Sequence, residues 1–270
     1  MNADQVWLTD LSRAAGAVLL EHFGHVTVEK KGARDLVTAA DRAAERLILD
    51  GIRRRFPQDL ILAEESCPDT TPRGRTWIVD PLDGTTNFVH GIPHFAVSIA
   101  LVDNGVPLLG CVFNPALEEC FSAAQGAGAF LGTQRLQVSH TQLLSEAVLC
   151  TGFHYRMEQK ADSNLQHFCD LAPLTRGLRR LGSAALDLCY AAAGRYDGFW
   201  ELHLSPWDVA VGALVAKEAG AEVTDFRGGP DWLLGGEIVA ANPAMAAALR
   251  DVLSSADPAR LPGRDYQRPS

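Results

Sequence analysis

The 270-residue sequence has no run of about 18 apolar residues, so no helix in it is expected to span a membrane. Its six cysteines, Cys67, Cys111, Cys120, Cys150, Cys169 and Cys189, include no CxxC pair, which argues against a structural zinc site. Most sit in apolar runs, such as Leu109-Gly110-Cys111-Val112 and Val148-Leu149-Cys150, and read as small buried hydrophobes of a reducing compartment. The stretch Met1-Asn2-Ala3-Asp4-Gln5 lacks the basic and then apolar pattern of a secretory signal, so a cytoplasmic location is expected. There is no repeat and no low-complexity tract. Basic residues are outnumbered, 24 Lys and Arg against 33 Asp and Glu, for a net charge of −9. That sign disfavours nucleic acid and anionic membranes as partners. It also means that an anionic substrate would need local positive charge, such as a bound metal ion. The composition is otherwise that of a globular chain, 47% hydrophobic and 21% charged, long enough to bury a core without disulfide or metal staples.

Apolar spacing organises the chain. Trp7, Leu11, Ala14, Ala15, Val18 and Phe23 predict an amphipathic helix over 4–23, and a second helix over 39–55 stops before Pro57. Ile61-Leu62-Ala63 and Trp77-Ile78-Val79 read as buried strands that deliver carboxylates at their C-terminal ends. Between 95 and 138, alternating strands around the Asp103-Asn104-Gly105 turn predict an antiparallel meander. After 147, strands at 147–150, 175–180, 197–201, 221–224 and 238–241 alternate with helices at 157–171, 183–193, 207–219 and 243–254. That alternation predicts an α/β second half with a mostly parallel sheet. The expected organisation is an α+β unit over 1–142, an α/β unit over 143–257 and a loosely ordered tail over 258–270 that holds three prolines. No flexible linker separates the two units, so they are expected to pack together with a site between them.

The densest chemical signal is Ala63-Glu64-Glu65-Ser66 followed by Trp77-Ile78-Val79-Asp80-Pro81-Leu82-Asp83-Gly84-Thr85-Thr86-Asn87-Phe88. Pro81 holds Asp80 extended, Gly84 permits a left-handed turn, and Thr85 or Thr86 can cap a short helix through 88–90. Backbone amides at Gly84, Thr85 and Thr86 would then face outward, as in phosphate-binding helix starts. Two aspartates beside such amides accept phosphate only if cations intervene. Oxygen ligands without a His or Cys cluster suit Mg²⁺. Asp-Pro and Asp-Gly are also common turn dipeptides, but the apolar strand before them and the Gly-Thr-Thr start after them favour the functional reading. A second acid, Asp208 in Ser205-Pro206-Trp207-Asp208, fits equally well as the third residue of a capping box or as a further carboxylate reaching the same ions.

These segments resemble the signatures of the inositol monophosphatase family, Mg²⁺-dependent and lithium-sensitive phosphatases. Residues 77–88 resemble the first signature, and Trp207-Asp208-Val209-Ala210-Val211-Gly212 through Glu218-Ala219-Gly220 the second. Asp35-Leu36-Val37-Thr38 with Asp41, and Gly182-Ser183-Ala184-Ala185, match as well. Ala221 and Val211 depart mildly from the pattern at positions away from the proposed metals. The resemblance implies a layered αβαβα sandwich. It implies that Glu64, Asp80 and the Leu82 carbonyl hold one Mg²⁺, that Asp80, Asp83 and Asp208 hold a second, and that a weaker third ion lies near Glu64. Gly84 and Thr85 would bind phosphate, Thr85 paired with Asp41 and Glu64 would orient the attacking water, and Glu65 and Lys30 would support the site. Ser183, Ala184 and Glu201 would contact the alcohol part of the substrate, alongside Asp83 and Asp208.

The implied activity is hydrolysis of a small phosphorylated polyol or sugar, inositol monophosphate above all, by metal-activated water. Histidinol phosphate, fructose 1,6-bisphosphate, 3′-phosphoadenosine 5′-phosphate and NADP(H) are substrates of the same chemistry. A homodimer is implied by the same analogy. A function of another class, a regulatory module for an RNA or transcription complex, is disfavoured by the net charge and the intact set of acids. His90 and His94 read as locally hydrogen-bonded, His203 borders the expected pocket, and Arg179-Arg180 fits either an interface or anion recognition.

Overall fold

The helices sort into layers by how much of their surface is apolar. α1 (Ala3–His22) buries one stripe, including Leu8, Ser12, Ala15 and Leu19. α2 (Ala39–Arg55) buries Ala40, Ala44, Ile48 and Ile52 and ends in three arginines. Such one-sided helices belong on an outer face. In α5 (Ala184–Ala192) every residue is buried, and in α6 (Pro206–Glu218) so is each residue from Val209 to Ala216. Helices apolar all round must be covered on every side. In the computed structural model, which describes residues 3–24, 28–30, 36–68, 71–155 and 163–255, that cover is two β-sheets.

The larger sheet runs in sequence order: β3 (Leu60–Ala63), β4 (Arg75–Asp83), β5 (Ala96–Asp103), β6 (Val106–Asn114), β7 (Glu119–Ala124), β8 (Gly128–Leu131) and β9 (Gln134–Arg135). β3 and β4 are parallel, and β4 to β9 form the expected antiparallel meander. α1 and α2 cover one face of this sheet, and α5 and α6 the other. The second sheet has the order β11 (Gly177–Arg179), β10 (Val148–Thr151), β12 (Gly198–Leu202), β14 (Glu237–Ala241) and β13 (Glu222–Thr224). Its far face carries α7 (Pro243–Ser255), against which α4 (Leu165–Leu171) packs. The layers are therefore αβαβα. A two-stranded ladder of β1 (Val28–Lys30) and β2 (Leu36–Thr38) stands apart from both sheets.

One expectation needs correction. The second sheet is mixed rather than mostly parallel. β10 pairs in parallel with β11 and β12, but β14 runs antiparallel to both β12 and β13. The connection from β13 to β14 contains no helix, so nothing carries the chain back to the starting edge and the strand returns reversed. Two further boundaries differ. β4 does not stop at Val79 but runs on through Pro81 to Asp83, with a register shift against β5 between Asp80 and Asp83. α4 is shorter than 157–171, part of which lies outside the described residues, as does the tail over 258–270.

Two tryptophans fix the strands that matter for the site. Trp77 of β4 is fully buried, meets Trp7 of α1 edge to face at 5.6 Å, and donates from its indole nitrogen to Asp59 at 3.0 Å. Full burial of a side chain this size contributes about 3 kcal/mol. Trp200 of β12 is equally buried and donates to Asn164 at 2.8 Å, while Asn164 donates to the Gly152 carbonyl at 2.6 Å. The ends of β4, β10 and β12 are thus held in place by buried aromatic anchors. Of the free cysteines, Cys111, Cys120, Cys150 and Cys189 are buried and serve as small core residues. Among the described residues no helix is long and apolar enough to cross a membrane.

Candidate metal centre and substrate cleft

Three chain segments bring four carboxylates to the seam between the two sheets. Glu64 follows β3, and its N–H donates to the Val79 carbonyl at 3.2 Å, which lays it beside β4. Asp80 is 2% exposed and its carboxylate accepts the Leu82 N–H at 2.9 Å, a local turn that the proline between them favours. The register shift after Asp80 re-aims the strand, as bulges beside active sites do. Asp83 closes β4, and its Oδ2 accepts both the Ser183 hydroxyl at 2.7 Å and the Ala185 N–H at 2.8 Å. Asp208 lies in the first turn of α6 and accepts the Ser205 N–H at 2.7 Å. Each of Asp80, Asp83 and Asp208 offers an oxygen, and these oxygens lie within 4.8 Å of one another.

Such a cluster is electrostatically costly without a cation. Burial, then the charges of Glu64, Asp83 and Asp208 and a hydrogen bond to the Glu64 side chain, push Asp80 well above the ordinary carboxylate range. Asp83 is pushed up to about 6 by burial, against the opposing donors Ser183 and Ala185. Asp208 is pushed up to about 7 by burial and the charge of Asp83. The donor set is oxygen only, carboxylate-rich and closely spaced, which fits a hard divalent ion.

Gly84 is left-handed at φ 91°, and a β-carbon there would approach the His94 and Gly182 carbonyl oxygens at 3.0 and 3.3 Å. It occupies the cap position of α3 (Thr85–Val89) with no side-chain hydrogen bond. The expected cap by Thr85 or Thr86 is therefore replaced, because glycine makes the reversal needed straight after β4 without a β-carbon against the neighbouring backbone. The Thr85 hydroxyl donates to the Leu82 carbonyl at 3.1 Å rather than to Asp41. Asp41 is buried in the first turn of α2 and does not line the cleft. Glu65 does not line it either; its N–H donates to Glu45 of α2 at 3.0 Å. Lys30 lies in β1, where only the backbone is described, and Asp35 lies outside the described residues.

The cleft has a volume of about 240 Å³ and is lined by Glu64, Asp80, Leu82, Asp83, Gly84, Thr85 and Asp208 on one side. Ala184 and Glu201 line the other. Ser183 does not face the cleft as expected. It is fully buried, caps α5 through its bond from the Leu186 N–H, and holds Asp83. Glu201 is raised well above the ordinary range by burial, Asp187 and Asp208, with Arg180 opposing. Gly152 makes room for it: a β-carbon at Gly152 would lie 2.2 Å from the Glu201 carboxylate oxygens.

Of the histidines, His90 donates locally to the Thr86 carbonyl at 2.8 Å, but His94 reaches 93 residues along the chain to Asp187 at 3.2 Å. His203 and Arg180 line the cleft, whereas Arg179 does not. Phe153, His154 and Tyr155 line it too and were not anticipated. They follow β10 much as Glu64 follows β3, and the Gly152 just after that strand is the sequence signal that could have found them.

An αβαβα sandwich with an oxygen-only acid cluster at the seam of its sheets defines the class: a layered fold built to hold hard cations beside a small cleft. Within that class the chain belongs to the inositol monophosphatase family, which it matches over residues 4–256. It is 44% identical over 253 residues to the Nus factor SuhB of Escherichia coli strain K12, spanning 91% of this chain and 95% of that protein. It is 44% identical over 250 residues to an inositol-1-monophosphatase of Rhizobium meliloti strain 1021, spanning 91% and 94%. Among solved structures it resembles the inositol monophosphatase from Anabaena (Nostoc) sp. PCC 7120 with a TM-score of 0.86 and 42% identity, covering 94% of this chain and 96% of that one. The Thermotoga maritima IMPase gives a TM-score of 0.83 and 40% identity, covering 91% and 94%.

Proposed function

We propose that this chain is a Mg²⁺-dependent phosphatase that hydrolyses a small phosphate monoester, inositol monophosphate in the first place. The observation that carries this reading is the convergence of Asp80, Asp83 and Asp208 within 4.8 Å, with Glu64 hydrogen-bonded to Asp80. Those four side chains, with the Leu82 carbonyl, would hold two or three ions. Bound there, Mg²⁺ supplies Lewis acidity and neutralises the phosphate charge that would otherwise repel an attacking water.

The chain's own residues do the rest. The N–H groups of Gly84 and Thr85 donate to the phosphate oxygens, where the first N–H groups of a helix have no carbonyl partner. Glu64 and Thr85 orient the water, and buried Asp41 supports that wall from α2. Asp83 and Asp208 would hold an ion and border the leaving alcohol. Ala184 leaves space for that alcohol, and Glu201 accepts hydrogen bonds from its hydroxyls, which favours a polyol. Glu65 and Lys30 support the site, and Ser183 orients Asp83. Lithium sensitivity, a homodimer and a cytoplasmic location belong to the same reading and rest on family resemblance.

The other class of function, a regulatory module in a transcription complex, draws support from the name of the SuhB relatives alone. A net charge of −9 and a complete acid cluster favour catalysis. Phosphate release from inositol 1-phosphate and the related phosphates, with and without Mg²⁺, tests the proposal in wild type, Asp83→Asn and Glu64→Gln. Turnover that requires Mg²⁺ and falls about 100-fold or more in both variants is expected. Three proteins that behave alike would refute it.

A further inference from the structure

Asp83 takes its orientation from the start of α5, and α5 is itself tied back to the segment that follows Asp83. The Ser183 hydroxyl and the Ala185 N–H donate to Asp83 at 2.7 and 2.8 Å. Asp187, in the same first turn of α5, is 1% exposed and accepts a hydrogen bond from His94 Nε2 at 3.2 Å. His94 stands two residues before β5, is buried, and packs its ring edge-on against Tyr190 of α5 at 5.6 Å. Its backbone serves the turn after β4. The His94 carbonyl accepts the Asn87 side-chain amide at 2.7 Å, and the same amide donates to the Leu181 carbonyl at 2.8 Å, just ahead of α5. The Gly84 α-carbon is flanked by the His94 and Gly182 carbonyls. A closed circuit results: Asp83 to Ala185, along α5 to Asp187, across to His94, and back through Asn87 and Gly84 to Asp83.

A buried carboxylate is a costly way to close that circuit. Burial raises Asp187 above its ordinary value, and the His94 side chain opposes the rise. Two apolar side chains of similar size would pack the same space with no desolvation cost. What they would not supply is direction. A hydrogen bond fixes distance and angle, whereas apolar contact allows a helix to slide or turn. Ser183, Ala185 and Asp187 lie within five residues, so a small rotation at the start of α5 moves both Asp83 donors together.

We propose that His94 and Asp187 form a clasp between the two halves of the chain, and that they are positioning residues which set the orientation of Asp83 for holding Mg²⁺. The proposal rests on the phosphatase reading above and adds two residues to the support of its ion site. Neither residue touches the ion or the substrate; both act through α5 and the turn after β4. Groups that orient a metal ligand from behind typically change metal affinity about 10- to 100-fold when removed.

Calorimetric titration of the full chain with Mg²⁺ tests the clasp without turnover. His94→Phe keeps a ring beside Tyr190 and removes the donor. His94→Gln carries an amide Nε2 the same number of bonds from the backbone as the histidine Nε2. The double variant His94→Phe/Asp187→Leu leaves no buried charge without its partner, so it should fold even where the single variant does not. Mg²⁺ affinity should fall about tenfold or more in His94→Phe and by the same factor in the double variant, because the two residues act as one unit. It should return to within about threefold of wild type in His94→Gln. The Mg²⁺ concentration that gives half-maximal phosphate release from inositol 1-phosphate should rise in parallel. Damage to packing alone would lower Tm and the number of binding sites, while the remaining sites kept wild-type affinity. A double variant within about twofold of wild-type affinity, or a His94→Gln that falls as far as His94→Phe, overturns the clasp and leaves the phosphatase reading standing. A wild type that binds Mg²⁺ but releases no phosphate overturns that reading, and the titration then judges the clasp by itself. A wild type that does not bind Mg²⁺ overturns both.

Discussion

The two walls of the cleft are built in different ways. The acidic wall comes mostly from one continuous stretch, Asp80 to Thr85, in which a strand, a bulge and a left-handed glycine follow one another within six residues. The facing wall is assembled from the ends of β10 and β12 and the start of α5, held together by buried bonds such as those of Asn164 to Thr151 and Gly152. A wall made locally is specified by local sequence and keeps its chemistry as long as the strand exists. A wall made by packing depends on many partners, so it is where substrate choice can vary without loss of the chemistry.

Substitutions on each wall would sharpen this contrast. The largest effect is expected on the acidic side. Asp208→Asn should remove Mg²⁺-dependent thermal stabilisation and lower phosphate release about 100-fold or more, measured by melting with and without Mg²⁺ and by turnover. Ser183→Ala takes one of two donors from Asp83 and should weaken Mg²⁺ binding about 10- to 100-fold in a calorimetric titration, with the fold intact by circular dichroism. On the facing wall, Gly152→Ala forces the Glu201 carboxylate to move and should cost about 1–3 kcal/mol in denaturant unfolding while raising KM more than it lowers kcat. A larger fall in kcat than rise in KM would mean that the two walls are not separable.

The smallest effect is a pH dependence to which the acidic wall contributes through two aspartates. Asp83 rises from an ordinary 3.8 to about 6, and Asp208 from 3.8 to about 7. Raised acids contribute stability that is present below the unfolded pKa and is lost as pH rises through the folded one. The metal-free protein should therefore lose this contribution between about pH 4 and 7. Mg²⁺ takes the place of those protons, so its stabilising shift in Tm should grow across the same window. A Mg²⁺ shift that is flat from pH 5 to 8 would separate the acids from the ion.

The sequence reading reached the acidic wall because its signals are short-range. Asp80-Pro81-Leu82-Asp83-Gly84-Thr85 lies in one strand and turn, where pattern and chemistry coincide. Asp208 was legible as both a helix cap and an ion ligand, and the structure gives it the cap while bringing it to the other two acids. What was not legible depends on tertiary packing. Ser183 was expected to face substrate, yet the approach of α5 to the end of β4 turns its hydroxyl onto Asp83. The reversed direction of β14 follows from a connection without a helix, which alternation of strands and helices does not reveal. His94 finds Asp187 across the two halves, a contact with no trace in local spacing.

Crystals grown with Mn²⁺ in place of Mg²⁺ would test the central claim most directly, because the anomalous signal locates the ion without reference to activity. The account predicts anomalous density bounded by the carboxylate oxygens of Asp80, Asp83 and Asp208, with the Glu64 side chain beside it. Density confined to surface acids, with none among those three side chains, would contradict it.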